Sequence, residues 1–247
     1  MSLLANVSVD DNVQNETDSV GSGGVWESDL YPVTIDMAYL EKKQSGAVFL
    51  NVVLKDDNGR ENREGLCILS GDKKGNKNYY ENKQGERHYL PGFNVARSLA
   101  LLTTGKELDK LATDVKTIKV YNFEAKKDMP TDVEVVEDLL GQRVVAGVLK
   151  KIVDKNQKGD DGQYHPTGET REINEIDKIF RERDMMTVNE ILAQETEAAF
   201  HNTWKDKFAG KTINRASAAN DANGASQGAP KAAAGGGVAK PKTSLFS

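Results

Sequence analysis

The segment Lys73-Lys74-Gly75-Asn76-Lys77-Asn78-Tyr79-Tyr80 combines side chains suited to one kind of polymer. Residues 73–89 hold five cations, Lys73, Lys74, Lys77, Lys83 and Arg87, against Glu81 and Glu86, with Tyr79, Tyr80 and Tyr89 interleaved among them. A single-stranded polynucleotide needs both kinds of group: cations follow its phosphates, and aromatic faces stack its bases at about 1–3 kcal/mol each. Gly71, Gly75 and Gly85 allow backbone to approach such a strand closely. The plainer alternative is that the tyrosines pack a long loop onto the body and the lysines are simply solvated.

A second basic run, residues 142–158, carries Arg143, Lys150, Lys151, Lys155 and Lys158 against Asp154. On a strand, Arg143 and Lys151 share a face and Lys150 points the other way, so only part of the run can line a groove. A lysine-protected sheet edge explains the same residues equally well. Phe49, in a predicted strand, is a further candidate stacking ring. Tyr164 and His165, before Pro166, lie in a glycine-rich loop from which they reach a bound strand. Trp26 reads as an anchor for the chain start, and Trp204 as core or oligomer contact.

The same chain is poor in enzyme signatures. Gly71-Asp72-Lys73-Lys74-Gly75 lacks the Gly-Lys-Ser/Thr that completes a P-loop. His88, His165 and His201 are too far apart in sequence to suggest a metal motif. The single cysteine, Cys67, excludes a disulfide within the chain. The expectation is a non-enzymatic protein without catalytic residues, cofactor or metal.

Charge is unevenly distributed over the 247 residues, whose net charge is -5. Any anion-binding surface must therefore be local. Residues 1–30 contain six acids and no Lys or Arg, whereas residues 210–247 contain five basic residues against Asp221 alone. Oppositely charged ends suggest head-to-tail self-association on a shared polymer. The Ala- and Gly-rich end buries too little to repay ordering and reads as disordered. No apolar run approaches the 18 or so residues of a membrane span. The expected setting is cytoplasmic, with no membrane partner.

Four parts follow: an acidic flexible arm (1–27), a folded domain (28–182), a C-terminal helix (183–209) and a disordered tail (210–247). Within the domain, Val33, Ile35, Met37 and Tyr39 alternate as one face of a strand. Residues 46–55 form a second strand, with Leu50, Val52 and Leu54 on one side and Phe49, Asn51 and Val53 on the other. Asp57-Asn58-Gly59 is a hairpin signal, and residues 61–69 form a third strand. Residues 71–91 read as a loop, followed by a helix over 92–104 stopped by Gly105. Residues 115–123 are extended, 133–140 a short acidic helix or linker, and 143–153 a strand with Val145, Gly147 and Leu149 toward the core. In 171–180, Ile173, Glu175, Asp177 and Ile179 share one face, and Ile176 lies on the other. Thr187 and Glu190 form a capping box for a helix running to about 208. This order predicts a mainly β, α+β domain: an OB-fold-like five-stranded Greek-key barrel with a C-terminal helix. A β-sandwich is the competing arrangement.

Several blocks resemble phage-encoded single-stranded DNA-binding proteins, in particular those of podoviruses that carry a virion RNA polymerase. They are Tyr31-Pro32-Val33-Thr34-Ile35, Lys74-Gly75-Asn76-Lys77-Asn78-Tyr79-Tyr80, Leu90-Pro91-Gly92-Phe93-Asn94 and Leu101-Leu102-Thr103-Thr104-Gly105-Lys106-Glu107-Leu108. Leu140-Gly141-Gln142-Arg143-Val144 and Arg171-Glu172-Ile173-Asn174-Glu175-Ile176 extend the resemblance over about 30–180. It implies an OB-fold, binding of single-stranded DNA regardless of sequence, and service in phage replication and recombination within the infected bacterial cytoplasm. It also implies replication proteins or a phage RNA polymerase as partners. The alternative role is an adaptor or transcription cofactor that recruits such a polymerase to opened promoter DNA. The chain departs from the family in its ends: the acidic segment is at the start and the end is basic. The DNA contacts expected are Lys73, Lys74, Lys77, Tyr79, Tyr80, Arg87, Tyr89, Arg143, Lys151 and Phe49.

Overall fold

The computed structural model describes residues 24–122, 125–159 and 164–217. Most of the acidic arm and most of the tail lie outside the described residues. The fold is mainly β with few helices, an α+β arrangement.

Strands β1 (Asp29–Lys42), β2 (Val48–Asp56) and β3 (Glu61–Leu69) form an antiparallel meander. The predicted Asn-Gly turn joins the last two, with Gly59 at φ 80° donating its N–H to Asp56 O. Helix α1 (Pro91–Thr104) follows a small hairpin of β4 (Tyr79–Glu81) and β5 (Arg87–Tyr89). It ends where expected: Gly105, at φ 72°, donates to Leu101 O. Then come ribbon β6 (Thr113–Asn122) and β7 (Lys127–Val136), ribbon β8 (Arg143–Lys158) and β9 (Tyr164–Arg181), helices α2 (Val188–Leu192) and α3 (Phe200–Phe208), and β10 (Thr212–Asn214).

β1 is the branching strand. One edge pairs with β2 along Val33–Lys42. The other pairs with β8 over Asp29–Thr34 and with β7 at Tyr39 and Leu40. A β-bulge at Asp36 divides these halves, since Ile35 faces Leu54 while Met37 faces Val53. An extra residue flips every later side chain. Val33 and Ile35 therefore point inward with Ala38, and Met37 and Tyr39 point outward, correcting the single face expected for all four. A second bulge, at Asp177 of β9, turns both Ile176 and Ile179 into the core, again correcting the expected alternation.

The main core gathers Val33, Ile35, Leu50, Val52, Leu54, Leu66, Leu99, Val144, Ala146 and Val148 around α1. β8 is buried on both sides. Its outer face, Val145 and Leu149 with Phe180 of β9, packs under Trp204 of α3 in a separate cluster. Gly147 lies beneath the indole, where an added Cβ would sit 3.1 Å from two ring carbons. Trp204 Nε1 donates to Asp177 at 2.7 Å, so the bulge also fixes α3.

Several expected segments differ in form. Residues 127–136 are a strand, and Tyr164 and His165, expected in a glycine-rich loop, stand on strand β9 paired with β8. The single late helix is two short ones. Gln194 adopts φ 58°, and Glu190 accepts from Thr187 in the capping box while its other oxygen accepts from the N–H groups of Ala199 and Phe200. Burial opposes ionisation of Glu190, but these donors prevail and hold its pKa below the usual carboxylate range. Ala199 and Phe200, at the start of α3, are exposed. The tail also begins later than 210, because β10 adds in parallel to β8, secured by buried Ser28, whose hydroxyl donates to Lys211 O and accepts from Lys150 N–H. Trp26 is buried and exchanges backbone hydrogen bonds with the Asn174 amide, an anchor as expected.

The strand path β3-β2-β1-β8-β9 is open between its ends, and no β3–β9 ladder forms. Helix α1 packs against both β3 and β9. Across the opening, Glu64 of β3 accepts the N–H of Ile176, next to the β9 bulge, at 2.6 Å. Burial pushes the Glu64 pKa up to about 7; the Ile176 N–H and Lys151 oppose this, and Glu175 adds to it. A carboxyl whose pKa rises on folding contributes fully below its ordinary value near 4.5, and that contribution is lost as pH rises through about 7. Glu64→Gln keeps an acceptor for Ile176 without the charge. It should match the parent protein near pH 4.5 and exceed it by about 1–3 kcal/mol at pH 8, measured by denaturant unfolding. A difference that does not change with pH would contradict the role given to Glu64.

Candidate nucleic-acid interface

The outward face of β1–β2–β3 beyond the Asp36 bulge is a grid three residues wide. Its rows, read from the strand register, are Met37-Val53-Arg63, Tyr39-Asn51-Gly65 and Glu41-Phe49-Cys67. Phe49 is half-buried, with the Lys43 ammonium 5.8 Å from its ring centre. Glu41 takes hydrogen bonds from both Lys43 and the Asn51 amide. Burial raises the Glu41 pKa, but the two bonds outweigh it and keep the carboxylate ionised below its ordinary range. Arg63 lies near Tyr39, whose hydroxyl pKa burial and Glu41 raise against the pull of that guanidinium.

The basic segment is docked beside this grid. A 3-10 turn, Asp72–Lys74, lies on the β1–β2 turn, with Asp72 N–H donating to Ser45 O at 2.8 Å. Only glycine permits that contact: a Cβ on Gly46 would come within 2.1 Å of Asp72 Oδ1, and one on Gly71 within 2.5 Å of Ser45 O. Ser70 then holds Lys77 through both its backbone N–H and its hydroxyl oxygen. Lys74 is close enough to Cys67 to lower its thiol pKa, although burial dominates and leaves that pKa raised.

Register divides the β4–β5 hairpin into two faces. Tyr79 and Tyr89 are directly paired on one face with Glu81 and Arg87, and Tyr80 pairs His88 on the other. Two cations occupy the Tyr79 ring, Lys77 Nζ at 5.3 Å and Arg87 Cζ at 5.0 Å from its centre. Arg87 is also paired with Glu81 at 3.1 Å. Tyr89 is 49% exposed and packs at a tilt against Phe93 of α1, with ring centres 4.9 Å apart; Tyr80 is 45% exposed and lies near the His88 ring. Tyr80 and Tyr89 are thus the open aromatic faces, and Tyr79 is a ring already engaged by cations.

The structure places Lys73, Lys74, Lys77, Tyr79, Tyr80, Arg87 and Tyr89 on one segment docked at the end of the meander that carries Phe49, with Tyr80 and Tyr89 on opposite faces of its hairpin. It does not bring Arg143 and Lys151 to them. Arg143 is held by Asp57 at 2.9 Å and Glu182 at 2.6 Å, which raise its pKa further, and Lys151 by Glu175 at 2.5 Å. Both project from the β8 face that Trp204 covers at its centre. Lys150 and Lys155 of the same run are likewise paired with carboxylates. Among the described residues, Lys73, Lys74, Lys77 and Lys83 make no ion pair. Tyr164 and His165 stand on the β8–β9 ribbon, where Tyr164 is largely exposed.

Sequence reasoning missed Tyr39, Asn51, Arg63, Gly65 and Lys43 as members of this surface. The alternation Phe49-Asn51-Val53 was the available signal for Asn51; the others depend on register. Among the described residues, no three His, Cys, Asp or Glu side chains gather to hold a metal ion. No helix there is long and apolar enough to cross a membrane.

If the Lys74 ammonium lies over the grid, Lys74→Ala should raise the Cys67 thiol pKa further and slow its alkylation at pH 8 by roughly twofold. An unchanged rate would place Lys74 away from that face.

Comparison with protein-family models finds no match for this chain, and comparison with curated proteins finds none.

Proposed function

We propose that this chain binds single-stranded DNA without regard to sequence and is not an enzyme. One observation carries the reading: Lys73, Lys74 and Lys77, which make no ion pair among the described residues, sit on the segment docked at the end of the β1–β2–β3 face that carries Phe49, and the hairpin of that segment leaves Tyr80 and Tyr89 half exposed on its two faces. In the other basic run Arg143, Lys150, Lys151 and Lys155 are paired with Asp57, Glu182, Glu27, Glu172, Glu175 and Glu169. Cations without a carboxylate partner retain their attraction for phosphate, whereas paired ones must first give up a carboxylate. Arg143 and Lys151 are therefore outside the contact set that we propose.

The finer fold reading is an OB-like open barrel, supported by the path β3-β2-β1-β8-β9, by α1 across its open seam and by Glu64 bridging that seam. The phage setting, with roles in replication, recombination and transcription in the cytoplasm of an infected bacterium, rests on the resemblance of the short sequence blocks. Self-association along the strand is supported by the opposite charge of the two chain ends. The adaptor reading, in which the protein brings a phage RNA polymerase or replication proteins to opened DNA, draws on a separate observation. Val115, Tyr121 and Tyr164 are exposed large side chains on the two long ribbons.

Binding to oligo-dT, titrated at several salt concentrations, tests the main reading. Each phosphate contact adds about 0.7 to the slope of log K against log salt on single strands. Replacing Lys73, Lys74 and Lys77 together by Ala should reduce that slope by about 2. Arg143→Ala should leave affinity and slope unchanged. Salt-insensitive binding, or equal affinity for a duplex of the same length, would overturn the proposal.

A further inference from the structure

We infer that the grid contains a receptor for one unpaired nucleobase, formed by the bare backbone of Gly65, the Phe49 ring and the side-chain carbonyl of Asn51. The inference rests on the single-strand reading above and deepens it by naming how a base is distinguished from a paired one.

Gly65 occupies an outward position on β3, directly opposite Asn51 and diagonal to Phe49. Along the strand its same-face neighbours are Arg63 and Cys67, roughly 13 Å apart at 3.3 Å per residue. Gly65 itself contributes no side chain between them, and its backbone is exposed. A Cβ built on Gly65 would lie 3.0 Å from Asn51 Oδ1 and 3.5 Å from Phe49 Cδ1, so both groups border the notch directly. An aromatic ring along one side and an open floor suit a flat heterocycle.

The Asn51 amide is oriented by its own partner. Its Nδ2 donates at 2.9 Å to Glu41, an ionised carboxylate that can only accept. That bond turns Oδ1 toward Gly65, and among the described residues no donor is bonded to it. The notch therefore presents one hydrogen-bond acceptor beside a stacking ring. Every common base carries a donor on its Watson–Crick edge: N3–H of thymine, N1–H of guanine, and the exocyclic amines of adenine and cytosine. In a duplex those donors are consumed by pairing. The site thus accepts any unpaired base and refuses a paired one, without choosing among sequences. Lys74 near Cys67 places positive charge where a flanking phosphate would run, whereas Lys43, over the Phe49 ring, is already paired with Glu41.

Gly65→Val fills the notch without altering a charge. Affinity for oligo-dT should fall about tenfold, the lower range for one lost stack, with the salt slope unchanged because no phosphate contact is removed. Gly65→Ala should fall between parent and Val. A second measurement does not depend on packing at Gly65: an oligonucleotide built of N3-methylthymidine lacks the donor. The parent should bind it more weakly than oligo-dT, and in Asn51→Leu that penalty should disappear. Tight, salt-dependent binding that is indifferent both to Gly65→Val and to N3-methylation would overturn the notch and leave the proposed function standing. Failure of the parent to bind oligo-dT would instead overturn the function itself.

Discussion

One extra residue, Asp36, is the constraint on which the arrangement depends. A strand has two faces, and β1 must contribute to the main core with its first half while placing Tyr39 and Met37 outward with its second. Without the bulge, Met37, Tyr39 and Glu41 would point into the space held by Leu50 and Val52, and Ala38 and Leu40 would turn to solvent. The bulge also marks where β1 changes partner from β8 to β7. The outward grid and the packed interior are thus two consequences of one register shift. The β9 bulge at Asp177 plays a parallel part. It sends Ile176 and Ile179 inward, places the Ile176 N–H before Glu64, and presents a carboxylate to Trp204.

Electrostatics then separates the two basic segments that look alike in sequence. Arg143, Lys150, Lys151 and Lys155 are each committed to carboxylates that folding brings to them. The lysines at 73, 74 and 77 are raised on a tight turn and hairpin, away from such partners. In a protein of net charge -5, a patch of this kind holds its field only where acids are kept off it. Gly46 and Gly71 matter for that reason, since they let the turn sit against the β1–β2 connection instead of swinging free.

What was legible in the sequence was local. The Asn58-Gly59 turn, α1 with its Gly105 stop, the Thr187–Glu190 capping box and the anchoring of Trp26 each depend on a few neighbouring residues, and each appears in the structure. What was not legible depended on register or on distant partners. Period-two alternation cannot reveal a bulge, so it places Tyr39 on the inward face and carries no signal for Gly65. The acidic stretch at 133–140 reads as a short helix or linker, yet residues 127–136 form strand β7, a largely solvent-facing ribbon where Asp128, Pro130, Asp132 and Glu134 are tolerated. Arg143 and Lys151 resemble the free lysines until Asp57, Glu182 and Glu175 are brought across the chain. The Thr187–Glu190 spacing signals one cap, whereas the second Glu190 oxygen accepts from Ala199 and Phe200 at the start of α3, a partnership that only the turn at Gln194 creates.

The most direct test is photo-cross-linking of the full chain to an oligonucleotide carrying 5-iodouracil, with the attachment sites mapped by mass spectrometry. The account predicts attachment at Phe49 and Tyr39 on the grid and at Tyr80 and Tyr89 on the hairpin. Attachment concentrated on Phe200 or along Arg143–Lys151, with none on the grid, would contradict it.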